Sequence, residues 1–144
     1  MQLTEHFSLQ EMTVSEIGQR RGLDNTPNAT EIANLVRIAS LLEQVRKLIN
    51  KPIIVNSAFR SKAVNDAVGS RDTSQHRIGC AADIRVPGMT PKEVVEACIK
   101  ANIPFDQLIR EFDAWTHISV PNSTALKPRR QALIIDRSGT RAFS

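Results

Sequence analysis

Two short segments of alternating pattern, far apart in the chain, constrain its fold more than any other feature. Ala81 to Val86 reads as a strand with Ala82, Ile84 and Val86 on one face. Trp115 to Val120 reads as a second strand, with Thr116, Ile118 and Val120 on one face and Trp115, His117 and Ser119 on the other. Both apolar faces need a core. One sheet satisfies both, and it then carries Asp83 and His117 together on its open side. His76 lies on the loop that enters the first strand, in Ser74-Gln75-His76-Arg77-Ile78-Gly79, and Gly79 lets that loop turn back over the same side. Two imidazoles and one carboxylate can hold a zinc ion and leave a fourth position open for water. An open position is the mark of a catalytic centre. Each residue alone has a plainer reading: a surface histidine, a salt-bridged aspartate, a satisfied core histidine.

The remaining pattern supplies helices for the other side of that sheet. Ser8 with Glu11 three residues on forms a capping box before a short helix. From Thr30 to Ile49, apolar residues recur at Ile32, Leu35, Val36, Ile38, Leu41, Leu42, Val45, Leu48 and Ile49, the spacing of an amphipathic helix. Pro52 to Asn56 reads as a buried strand, and a brief helix spans Lys62 to Val68 and stops at Gly69. Thr90 and Pro91 open a further helix that runs to Ala101. Phe105 to Glu111 is a strand, and the tail keeps one apolar run, Ala132 to Ile135, before the turn-like Arg137 to Thr140. The expected architecture is α+β: a small, largely antiparallel sheet with helices packed on one side, in one domain covering 1–144.

A metal-dependent hydrolase also needs a base beside the attacking water. Glu111 ends the strand before Trp115. With three residues connecting the two strands, Glu111 pairs with Trp115 and His117 lies diagonally across, about 7–8 Å away at Cα. Asp113 is the rival carboxylate, but it falls on the turn, where aspartate is commonly a turn former. Arg60, in Ser57-Ala58-Phe59-Arg60-Ser61, can grip a substrate carboxylate or steady an oxyanion. Its plainer reading is an ion pair with Asp66 or Asp72. Ser74 and Gln75 can help orient His76, and Trp115 can line a substrate groove.

Composition narrows the partners. A net charge of +4 and a pI near 9.5 favour an anionic partner such as bacterial cell wall. The cations are scattered, and with 5 Phe, 1 Trp and no Tyr the chain offers little surface for stacking bases, so nucleic acid is not expected. No stretch approaches the ~20 apolar residues of a membrane span. The N-terminus lacks a signal-peptide pattern, so synthesis in the cytoplasm is expected, with export or release left to something else. Cys80 and Cys98 form no tight pair and read as buried thiols. The oligomeric expectation is a monomer.

Three segments together resemble a known family: Ser57-Ala58-Phe59-Arg60-Ser61; Ser74-Gln75-His76-x-x-Gly79-x-Ala81-Ala82-Asp83-Ile84; and Glu111 leading to Trp115-Thr116-His117-Ile118-Ser119. They look like the zinc peptidases of the D-alanyl-D-alanine carboxypeptidase family, peptidase family M15. That family shares its fold with hedgehog signalling domains and includes phage endolysins. Phe7-Ser8-Leu9-Gln10-Glu11-Met12 and Asp24-Asn25-Thr26-Pro27 are similar to the N-terminal pattern of its compact members. The resemblance implies zinc held by His76, Asp83 and His117, a carboxylate base, and an arginine on the substrate, which would be the peptide stems of peptidoglycan. Many members place the base three residues before the last histidine, where this chain has Ala114. The placement at Glu111 is similar to that in hedgehog domains, which keep the metal without established peptidase work. A zinc-stabilised interaction module, such as a virion or tail component, is therefore the alternative to an enzyme acting on the wall after release.

Overall fold

Asn28 starts the longest element of the computed structural model, which describes residues 1–144. Its side chain accepts from the Glu31 N–H while the Glu31 carboxylate takes the Asn28 N–H. The apolar stripe then carries the helix from Ala29 to Ile49, burying Leu35, Ile38, Leu42 and Val45. Asn50 ends it in the left-handed region at φ 53°. Helices α1 (Leu9–Thr13) and α2 (Glu16–Arg21) precede this helix, α3. The Ser8 capping box is formed as expected. Helix α2 was not expected from periodicity; it is only a turn and a half long, set by Ser15 at its start and left-handed Gly22 at its end.

Strand β1 (Ile54–Ser57) leads into α4 (Lys62–Ala67), a 3-10 turn (Gln75–Ile78) and β2 (Ala81–Arg85). Helix α5 (Pro91–Lys100), opened by Thr90 and Pro91, buries Val94, Val95 and Cys98. Strands β3 (Gln107–Glu111), β4 (Trp115–Ser119), β5 (Gln131–Asp136) and β6 (Gly139–Ala142) follow. The 6 strands form one sheet in the order β1-β2-β4-β3-β5-β6. Every pairing is antiparallel except β3 with β5.

The expected α+β architecture is what forms, and it fits a hedgehog/DD-peptidase-like fold. Ala82, Ile84, Leu108 and Ile118 of the sheet join Leu35, Ile38, Leu42, Val94 and Val95 of the helices in one core cluster of 23 buried residues. The tail departs from expectation. Its apolar run becomes β5, and the stretch read as a turn also contributes β6, so the sheet is two strands wider on one side. Strand β3 also begins later than Phe105. That ring is buried in the core, and Asp106 turns inward instead of alternating.

Candidate metal centre

Asp83 and His117 are direct partners in the β2–β4 register, and Ser57 of β1 pairs with Asp83 on the other side. Thr116, Ile118, Ala82 and Ile84 point into the core, so strand alternation leaves Asp83 and His117 on the opposite face. His117 Nδ1 lies 3.0 Å from Asp83 Oδ1, and His76 Nε2 lies 3.3 Å from the same oxygen. One ligand atom from each of the three residues falls within 4.8 Å of the others. A tetrahedral zinc with bonds near 2.0–2.1 Å needs ligand atoms separated by about 3.3 Å. The donor set therefore fits zinc in chemistry, and the two separations to Asp83 Oδ1, 3.0 and 3.3 Å, match that spacing. The sequence expectation that these residues converge on one sheet face is matched.

His76 reaches that face because its turn is pinned at both ends. Ser74 Oγ accepts from the His76 N–H, and Gly79 closes the turn at φ 81°. A Cβ on Gly79 would lie 2.8 Å from the backbone oxygen of Glu31, so glycine is required by space as well as by conformation. The imidazole Nδ1 sits 2.7 Å from the carbonyl oxygen of Ala58, and the Arg60 N–H donates to the His76 carbonyl. Burial alone would push the Asp83 carboxyl up. The neighbouring His76 and His117 outweigh it and hold the group well below the ordinary carboxylate range.

Glu111 stands opposite Trp115 in the β3–β4 register, diagonal to His117 as the parity argument requires. Burial, then the charge of Asp83, push its pKa above the ordinary value, against the pull of His117 and Arg60. The buried indole N–H of Trp115 also pulls the Glu111 pKa down, although it makes no well-formed hydrogen bond. Asp113 is placed differently. It sits in the three-residue connection with Phe112, both at φ 52°, and its exposed carboxylate pairs with Arg110. Arg60 is half-buried and donates from Nη2 to Ser74 Oγ at 3.3 Å, while its buried Nε has no acceptor. It forms no ion pair with Asp66 or Asp72, both of which pair with Lys62. Burial lowers its pKa against the opposing charges of Asp83 and Glu111, and its backbone bond to the His76 carbonyl sets Arg60 beside the metal face. Ser74 thus links the His76 turn to Arg60.

Periodicity did not reveal Asn25, whose amide ties the chain together here. Its Nδ2 donates to the carbonyls of Thr13 and Phe59, and its Oδ1 accepts from the Ser61 N–H. Nor did it reveal Asp106 and Arg129, which together with Gln75 hold the far side of the His76 turn. The available signal was Asp106 itself, a charge beside Gln107 between the apolar Ile103–Phe105 and Leu108–Ile109.

A sheet face with three candidate metal ligands and a separate half-buried carboxylate defines the class of a metal-dependent hydrolase. The chain belongs to the peptidase M15 family, whose model matches residues 5–119. Members are metal-dependent peptidases, typically using zinc. No curated protein matches the chain.

Proposed function

We propose that this chain hydrolyses peptide bonds in the stems of bacterial peptidoglycan, as a carboxypeptidase or an endopeptidase of D-alanyl-D-alanine type. The observation that carries the reading is Glu111: a carboxylate on the metal face, outside the ligand set, held above its ordinary pKa. His76, Asp83 and His117 would hold the metal. When bound, zinc supplies Lewis acidity that acidifies water and polarises the scissile carbonyl. Glu111 takes the proton of the attacking water and passes it to the leaving amine. Arg60 offers its unpaired Nε to a substrate carboxylate or to the oxyanion. Ser74 keeps that guanidinium in place, and Trp115 lines the groove beside Glu111. The basic surface favours residence on an anionic wall, reached after release of a phage-type lysin or from within a virion.

One observation favours a second reading, a zinc-stabilised interaction module: Ala114 stands where many relatives carry the base. Kinetics on a synthetic stem pentapeptide separate the two. Glu111→Gln keeps its zinc and loses about 10²–10⁴-fold in turnover, while Asp113→Asn changes little. The reverse ranking assigns the base to Asp113. A folded, zinc-loaded protein that cuts neither stem peptide nor peptidoglycan leaves the module.

A further inference from the structure

Asp106 is buried, and its carboxylate is gripped by Arg129 from a segment beyond the matched residues 5–119. The Arg129 backbone N–H donates to Oδ1 at 3.0 Å, Nε approaches both oxygens at 3.1 Å, and Nη2 donates to Oδ2 at 2.7 Å. On its other side, Oδ2 accepts from the side-chain amide of Gln75 at 3.1 Å. That amide also faces the Val120 carbonyl at 2.9 Å and Asn122 Oδ1 at 2.8 Å. An amide NH2 has only two hydrogens to share among these acceptors, so its orientation is fixed. Gln75 immediately precedes His76 in the 3-10 turn. The Gln75 carbonyl accepts from Cys80, and the Cys80 carbonyl accepts from Val120.

We infer that Arg129 is a positioning residue for the metal centre: through Asp106 and Gln75 it holds the turn that presents His76. The inference rests on the metal assignment above and adds the C-terminal strap to the site. Ala58 and Ser74 hold the turn on one side; the Arg129–Asp106–Gln75 brace holds it on the other. The Gln131 N–H to the Asp106 carbonyl and Arg130 Nη1 to the Ile103 carbonyl continue the strap into β5. Removing Arg129 leaves a buried carboxylate without its cation, and the neighbours must rearrange around it. Gln75 is the neighbour that leads to His76.

The test is zinc affinity and zinc release rate, read by competition with a chromogenic chelator, beside denaturant stability of the metal-free protein. Arg129→Leu and Gln75→Leu should each weaken zinc binding by about 10–100-fold and speed its release, as loss of ligand-orienting partners does. Gln75→Leu removes the amide's bonds to Asp106, Val120 and Asn122 but keeps the Asp106–Arg129 pair, so it serves even where Arg129→Leu fails to fold. Val45→Ala, a cavity at a fully buried position of α3, lowers stability while keeping wild-type zinc affinity. Unchanged zinc affinity in Gln75→Leu overturns the inference, as does a loss in Val45→Ala equal to that of the brace variants. A wild-type protein that binds no zinc overturns the metal assignment as well.

Discussion

His76 donates its Nδ1 proton to the carbonyl oxygen of Ala58 across 2.7 Å. A carbonyl can only accept, so this contact keeps a proton on Nδ1 and turns Nε2 toward the metal face, 3.3 Å from Asp83 Oδ1. The ligand is thus preset before any metal arrives. The expected outcome is close to one zinc per purified chain, with His76→Ala and His117→Ala each losing most of it in elemental analysis. Full zinc content in either variant removes that residue from the site.

Gly79 is the position least able to change. Gly79→Ala meets both a positive φ and the Glu31 carbonyl at 2.8 Å, so the turn must shift to admit one methyl group. The expected result is a loss of about 1–3 kcal/mol in denaturant unfolding, together with weaker zinc binding. An unchanged zinc affinity would mean that the turn absorbs the shift without moving His76.

Glu111 makes a signed prediction about pH. A base must be ionised, so activity falls as pH falls through the Glu111 pKa. Burial and Asp83 raise that pKa in the metal-free protein, and a bound zinc ion would pull it back down, so the acid limb of the loaded enzyme should lie below the pKa of the metal-free group. The same shift means the folded metal-free state favours the protonated form. Its contribution to stability is fully present below the unfolded pKa and is lost as pH rises through the folded one. Glu111→Gln should therefore raise the melting temperature of the metal-free protein at neutral pH. A lowered melting temperature contradicts the buried, disfavoured charge.

Arg60→Lys separates a substrate contact from a scaffold pair. An ammonium cannot reproduce the two parallel hydrogen bonds of a guanidinium, so kcat/KM should drop markedly while zinc content stays unchanged. Normal kinetics with a lowered melting temperature would return Arg60 to the scaffold through its Ser74 bond.

Strand parity made the metal face legible, because a two-residue period fixes which side Asp83 and His117 take once Ile84 and Ile118 are assigned to the core. The position of Glu111 opposite Trp115 followed from the length of the connection alone. Other features lay outside such local rules. The β3–β5 pairing is parallel and joins segments separated by β4 and a long connection, and no short-range period encodes it. The brace of Gln75, Asp106 and Arg129 exists only after three separated segments meet, so none of its members announces its partner in the sequence.

The most direct test of the account is digestion of purified peptidoglycan by the zinc-loaded protein, followed by mass analysis of the fragments. The expected result is newly freed amino groups at one type of stem peptide bond, release abolished by chelation and restored by zinc, and little release by Glu111→Gln. Intact peptidoglycan after incubation with folded, zinc-loaded protein would contradict it.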